Sequence, residues 1–295
     1  MKVLGDGITT DQTKSVVFFD SHDIFYTWCR SRDMPDEIRI REWEFLLQRY
    51  PNSDVLYFPH PWETLWKSNK IREINKKYKN DRHIIFHAFL WDFNSIRESA
   101  KQLNYQYFDG VQFSPIQGIK GEGKEFWEYY QPLGLHFYQS PLGAKQEFVN
   151  MCKELKELGM YRIADIVLRH CAGNNKGELK PHWRVDEEIK RFVRYDIGEC
   201  KDYNNRWEYT HKATGMPVLD FEDKEYQQLC VNFINELREL EINGIRLDQL
   251  KHYPVCKEGS NFLKNVFQQF EDSMYLYGEV IDCPTEINNL YVNNY

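Results

Sequence analysis

The sequence has no run of about 18 apolar residues, so no stretch of it is predicted to span a membrane. It has no Cys-x-x-Cys pair either. Its seven cysteines, an odd number, are scattered singly along 295 residues. That pattern argues against a zinc site and a disulfide frame, and it predicts reduced thiols in a cytoplasmic setting. The opening Met1-Lys2-Val3-Leu4-Gly5-Asp6-Gly7 lacks the apolar stretch and cleavage site of a secretory leader. Positive charge is not in excess: 38 Lys and Arg face 45 Asp and Glu, a net charge of −7. This balance argues against nucleic acid or a membrane surface as the partner. No Gly-rich phosphate loop follows any strand-like run, and no internal repeat or low-complexity stretch is present. What remains is ordinary for a globular protein, 42% hydrophobic and 28% charged, except that 16% of the chain is aromatic. Aromatic side chains are mostly core filler, but Tyr and Trp also suit flat apolar faces such as those of sugar rings.

Short β-rich runs alternate with amphipathic segments, the pattern of parallel βα units. Strands are predicted at Val16 to Asp20, Asp54 to Pro59, Ile84 to Leu90, Gly110 to Ser114, Met160 to Leu168, Gly244 to Asp248 and Tyr275 to Ile281, with Lys2 to Leu4 as an eighth. Helical spacing is carried by Trp43, Leu46, Leu47 and Tyr50 after Pro35, then by Leu65, Ile71, Ile74 and Tyr78. It returns in Ile96, Ala100, Leu103 and Tyr107, in Gly143 to Leu158 closed by Gly159, and in Phe262, Val266 and Phe270. Eight such units would close a (β/α)8 barrel, for which about 250 residues is typical; a doubly wound open sheet is the alternative. The polar stretch Cys171 to Glu222 breaks the rhythm and is expected to be a lobe inserted on a barrel loop. The organisation expected is therefore barrel over 1–170, lobe over 171–222 and barrel again over 223–295.

Three strands carry charge where a helix-covered strand should carry none. In Gly244-Ile245-Arg246-Leu247-Asp248, alternate side chains share a face, so Arg246 and Asp248 point one way while Ile245 and Leu247 point the other. Charges are seldom buried unless paired or functional. Asp248 lies at the C-terminal end of its strand, where barrel active sites sit. Glu279 ends the following strand. Neighbouring strands lie about 4.8 Å apart, so the two carboxylates can approach the roughly 5–5.5 Å used by a retaining glycosidase. The strand Ile163 to Leu168 adds Asp165 inside and His170 at the mouth, on the same rim.

Residues 163–170, 243–252 and 277–282 resemble the ordered motifs of the α-amylase family, glycoside hydrolase family 13. The resemblance implies Asp248 as nucleophile, Glu279 as general acid/base, and Arg246 and His170 as substrate-site residues. Lys251-His252 and Glu279-Val280-Ile281-Asp282 are most similar to the animal-type amylases, which adds Lys251 and His252 to the substrate site. Met216-Pro217-Val218-Leu219-Asp220-Phe221 resembles the motif that closes the family's inserted lobe. Phe126-Trp127-Glu128-Tyr129-Tyr130-Gln131-Pro132 resembles its aromatic segment, which implies stacking of Trp127 and Tyr130 on glucose rings.

The family's third carboxylate belongs to a seventh-strand motif downstream of the glutamate, where this sequence has only 16 residues left. The matching segment is at the other end: Val16-Val17-Phe18-Phe19-Asp20-Ser21-His22-Asp23 resembles it, implying Asp23 as the third carboxylate and His22 as a hydroxyl contact. Asp54 to His60 and Ile71 to Tyr78 resemble the family's eighth strand and helix, and Phe86 to Asp92 its first strand. The resemblance thus implies a circular permutation, strand order 6-7-8-1-2-3-4-5, without the family's C-terminal β-domain. A short link near Asn80-Asp81-Arg82 suffices, because in a closed barrel the last helix lies beside the first strand.

Arg169 stands where the family has an Asn that ligates calcium between barrel and lobe. Asp220 and His252 would be ligands if calcium binds, but Arg169 argues against it, since Ca²⁺ takes six to eight oxygens and a guanidinium offers none. No cofactor is expected to be required, and Arg169 is expected to bring its own charge near Asp220. Ser21 and Gln249 also depart from the family pattern. The expected function is retaining hydrolysis of α-1,4-glucosidic bonds in starch- or glycogen-like glucans or maltooligosaccharides, with Arg246 holding Asp248 ionised. The alternatives are transglycosylation, another α-glucoside substrate, or a non-catalytic glucan-binding protein.

Overall fold

The structure, a computed structural model, describes residues 1–5, 9–19, 34–59, 63–79, 81–174 and 179–293. Eight parallel strands close into a barrel in chain order: β1 (Lys2–Leu4), β2 (Ser15–Phe18), β3 (Asp54–Tyr57), β4 (Ile84–Ala88), β5 (Gly110–Phe113), β6 (Tyr161–Ile166), β7 (Gly244–Leu247) and β8 (Tyr275–Glu279). The open-sheet alternative is thereby overturned, because β1 pairs with both β2 and β8. All strands but β1 end one or two residues earlier than expected from sequence. Their last apolar residues, such as Phe58, Phe89, Val167 and Leu168, are buried in the turns leaving the barrel.

Alternation along each strand builds two separate cores. Val3, Val17, Val55, Tyr57, Ile84, Phe86, Val111, Ala164, Ile166, Ile245 and Leu247 face outward into the main core beneath the helices. Leu4, Val16, Leu56, Ile85, Ile163 and Tyr277 fill the barrel interior. Asp165 of β6 and Arg246 of β7 fall on the interior face, as their spacing predicts. At the opposite end of the barrel from the site, Asp54 ties the seam, accepting from Tyr275 Oη at 2.6 Å, from the His83 amide at 2.7 Å, and from Lys2.

The helices are α1 (Asp36–Arg49), α2 (Asn69–Tyr78), α3 (Phe93–Tyr105), α4 (Lys145–Glu157), α5 (Glu187–Lys190), α6 (Arg206–His211), α7 (Lys224–Glu239), α8 (Phe262–Phe267) and α9 (Thr285–Asn293). Two differ from the sequence expectation. Leu65 belongs to a separate 3-10 turn, Leu65–Lys67, because Ser68 then caps α2 by accepting from the Ile71 amide. α7 was not anticipated at all; Asp223 caps it, and Tyr226, Cys230, Phe233, Ile234 and Leu237 bury one face. Gly159 closes α4 at φ +70°, the left-handed position that favours glycine. Residues 171–222 leave the barrel after β6 and return at α7; the bridge His170–Val218 ties the segment to the end of β6, and Val193–Leu219 closes it on itself. No helix among the described residues is long and apolar enough to cross a membrane, and Cys152, Cys171, Cys200, Cys230 and Cys256 are free thiols.

Candidate active site

The register of β6, β7 and β8 decides the centre of the site. Asp165 on β6 is level with Arg246 on β7, and Leu247 is level with Gly278, next to Glu279 on β8. Arg246 therefore lies between inward-facing carboxylates. Its Nη1 donates to Asp165 Oδ1 at 2.7 Å and to Asp248 Oδ1 at 2.8 Å, and its Nη2 donates to Glu279 Oε1. The guanidinium is 1% exposed, so these are charge-assisted bonds in a medium that strengthens them.

One cation among three buried carboxylates leaves an excess of negative charge. Burial pushes Asp165 up to about 6, and Glu279 adds to the push while Arg246 opposes it. Burial also drives Asp248 well above the usual carboxylate range, with Glu279 and Asp165 reinforcing the effect and Arg246 again opposing. Arg246 alone was expected to hold Asp248 ionised. Arg246 opposes the upward shift of Asp248 without cancelling it, because its single charge is divided among three partners.

Immediately after Asp248 the chain turns away through Gln249, held at φ +51°. A non-glycine residue there costs about 1–3 kcal/mol, and its amide reaches Glu279 Oε2 at 3.3 Å. Tyr130 approaches from the aromatic segment Phe126–Tyr130. Its hydroxyl donates to Asp165 Oδ2 at 2.9 Å, and its ring lies 5.8 Å from the Arg246 guanidinium carbon. Phe89 stacks beside Tyr130 at 6.4 Å and continues into a cleft of about 620 Å³ lined by Phe58, Trp66, Phe89 and Trp91, with Glu63 and Asp92 at its polar edge.

The other sequence candidates are distributed around this centre. His170 is buried behind Tyr130, its Nε2–H donating to the Tyr130 carbonyl at 2.9 Å, and burial lowers it to about 4. Lys251 is half-buried and donates to the Ile281 carbonyl at 2.9 Å, linking the turns after β7 and β8. His252 turns toward the inserted segment, where Nδ1–H donates to the Tyr209 carbonyl at 2.8 Å; burial lowers it to about 3. Trp127 is 42% exposed, with Lys120 over its ring. His22 and Asp23 lie outside the described residues. Asp165 was placed inside from its spacing but given no role, and the structure makes it a full partner of Arg246. Gln249 gains a contact that only the turn geometry creates.

Arg169 does not pair with Asp220 as expected. It donates to three main-chain carbonyls: Nε to His252 at 2.9 Å, and Nη2 to Thr210 at 3.1 Å and Lys212 at 2.8 Å. Asp220 faces Arg194 instead, at 3.8 Å. Burial lowers the Arg169 guanidinium to about 10, which leaves it charged at neutral pH. Among the described residues, no group of three or more His, Cys, Asp or Glu side chains could hold a metal ion.

No family model matches the chain. It is 29% identical over 227 residues to an α-amylase of Clostridium acetobutylicum, covering 72% of this chain and 30% of that protein. It is 27% identical over 233 residues to an α-amylase of Thermomonospora curvata, covering 72% and 38%. An α-amylase-related protein of Drosophila ananassae is 25% identical over 232 residues, covering 74% and 44%. The chain thus spans less than half the length of these relatives. Among solved structures, α-amylase I of the earthworm Eisenia fetida, in a complex with maltohexaose, aligns with TM-score 0.55 at 26% identity, covering 68% of this chain and 45% of that one. An α-amylase of Geobacillus thermoleovorans shares the fold with TM-score 0.54 at 21% identity, covering 66% and 46%.

Proposed function

We propose that this chain, a relative of the α-amylases, is a retaining glycoside hydrolase cleaving α-1,4-glucosidic bonds in starch- or glycogen-like glucans or maltooligosaccharides. The observation that carries the proposal is the arrangement of Asp248 and Glu279, on the ends of adjacent strands and on the two arms of one guanidinium. Retaining chemistry needs two carboxylates about 5–5.5 Å apart, one ionised and one protonated. Arg246 holds the two carboxylates side by side at the rim of the barrel, the placement that division needs.

In the first step the Asp248 carboxylate attacks the anomeric carbon while Glu279 protonates the departing glycosidic oxygen. In the second, Glu279 takes a proton from water, whose oxygen attacks the same carbon and releases Asp248. Arg246 steadies both carboxylates as the charge on each changes. Asp23, assigned from its motif, would stabilise the cationic sugar of both transition states. His22 and His170 are assigned to sugar hydroxyls, with Lys251 and His252 beside them, and Trp127 and Tyr130 to the stacking of glucose rings. The aromatic cleft beside Phe89 supports a flat, polyhydroxylated substrate, because apolar ring faces and convergent polar groups together suit sugars.

The same reading includes the circular permutation. β1 to β3 would correspond to the family's sixth to eighth strands, and β4 to β8 to its first to fifth. The order of the motifs along the sequence is what supports it; the parallel pairing of β3 with β4 agrees with it but is common to any barrel closed in chain order.

The test is reducing-sugar release from soluble starch by the wild type, Asp248→Asn, Glu279→Gln and Asp23→Asn, with the product anomer followed by NMR. Loss of about 10⁴-fold or more in the first two variants is expected, with the α-anomer released first. If Asp248→Asn stays within about tenfold of the wild type, the nucleophile is misassigned. If Asp23→Asn keeps full activity, the permuted assignment falls while the two-carboxylate mechanism stands. Long transfer products from maltooligosaccharides would move the chain to the transglycosylases.

A further inference from the structure

The joint between the barrel and the inserted segment is built around an oxygen cluster. Three main-chain carbonyls converge there from two stretches of chain: Thr210 and Lys212 at the end of α6, and His252 in the turn after β7. The last turn of a helix leaves its carbonyls without intrahelical partners, so Thr210 and Lys212 need a donor or a cation. What fills the cluster is the side chain of Arg169, from the segment leaving β6, with its guanidinium 1% exposed. A hard divalent ion binds six to eight oxygens at about 2.3–2.6 Å, and carboxylates usually supply part of that set. Here the carbonyls already accept N–H donors at 2.8–3.1 Å. The nearby carboxylate Asp220 is paired with Arg194, and His252 Nδ1 is engaged with the Tyr209 carbonyl. The residues present therefore do not fit calcium, because a second cation would have to share the same oxygens with a buried positive charge.

We propose that Arg169 is the resident cation of this joint, pinning the inserted segment to the ends of β6 and β7 in place of a divalent metal ion. Two features distinguish this role from ordinary packing. The contacts are all to carbonyl oxygens, which answer to positive charge rather than to shape, and they join the end of α6 to the turn after β7. One donor, Nη1, has no hydrogen-bond partner among the described residues, so the geometry is dictated by where the carbonyls converge and not by saturation of the guanidinium. The consequence reaches the site. Arg169 precedes His170, which supports Tyr130, and it grips the carbonyl of His252, four residues beyond Asp248.

The experiment is thermal unfolding of the full chain after exhaustive EDTA treatment, with and without millimolar CaCl₂, for the wild type, Arg169→Asn and Arg169→Lys. The wild-type Tm is expected to be unchanged by chelation or calcium. Arg169→Asn restores an oxygen ligand and removes the charge; it is expected to melt lower without metal and to recover by about 5 °C with calcium, and not with potassium. Arg169→Lys keeps the charge and is expected to melt between the two, indifferent to calcium. A wild-type Tm that falls on chelation and returns with calcium overturns the proposal. So does an Arg169→Asn protein that is destabilised but deaf to calcium. If Arg169→Asn yields no folded protein even when expressed with calcium while Arg169→Lys folds, the oxygen cluster is not a cation site and the proposal fails.

Discussion

His170 and His252 make stability steeply dependent on acid. Both are buried, and both are held neutral by that burial, at about 4 and about 3 against 6.5 for an unfolded chain. The sign follows from linkage. Below pH 6.5 the unfolded state binds protons that the folded state refuses, so stability falls as pH falls through the window from 6.5 toward 3–4. Fully expressed, the gap for His170 is worth about 3 kcal/mol and that for His252 about 5 kcal/mol. Between pH 7 and pH 5 each contributes about 2 kcal/mol, or about 4 kcal/mol together. Against a total stability of about 5–15 kcal/mol this is a large share. Charging His170 would put a proton on Nδ1, which has no acceptor in its buried position. The assay is urea unfolding followed by tryptophan fluorescence from pH 7 to pH 5, comparing the wild type with His170→Gln/His252→Asn. The Gln amide can reach the Tyr130 carbonyl as Nε2–H does, and the Asn amide can reach the Tyr209 carbonyl as Nδ1–H does. The double variant should lose most of the acid dependence. If it loses as much stability over this range as the wild type, the two histidines are not its source and the reasoning is refuted.

Asp165 acts in the opposite direction. Its raised value means that the folded state holds a proton the unfolded state has given up, so its contribution is present at low pH and is lost as pH rises from about 3.8 to about 6. Asp165→Asn should flatten that part of the pH–stability curve, and an unchanged curve would mean that Asp165 is ionised throughout. Gly278→Ala should destabilise by about 1–3 kcal/mol, because its Cβ would lie 2.5 Å from Leu250 Cδ2 and 2.8 Å from Leu250 Cβ. It should also lower kcat/KM on starch by displacing Glu279, and a variant with wild-type Tm and kinetics would show that the strand end yields freely.

Much of the fold is legible in alternation. The period of two along Ile163 to Ile166 and Gly244 to Asp248 already separates inward charge from outward aliphatic residues, and the barrel keeps that separation. Helical periodicity was present and unread in α7, where Tyr226, Cys230, Phe233, Ile234 and Leu237 lie on one face. It misled at Leu65, where a capping serine outweighs one apolar residue in register. Of the site, the identities of Asp248, Glu279, Arg246 and Tyr130 are readable from motifs, while their mutual bonds are not.

The sequence by itself determined which side chains face the barrel axis, because side-chain direction in a strand is a local property of the backbone. It also determined that Arg169 could not be an oxygen ligand, since that is a matter of its atoms. Only the tertiary structure decided that Asp165, Asp248 and Glu279 share one guanidinium, and that Arg169 grips the carbonyls of Thr210, Lys212 and His252 rather than Asp220. Those contacts join residues as far as 83 positions apart. Their geometry is set by barrel register and by where loops return, and these are properties of the closed sheet rather than of any segment within it.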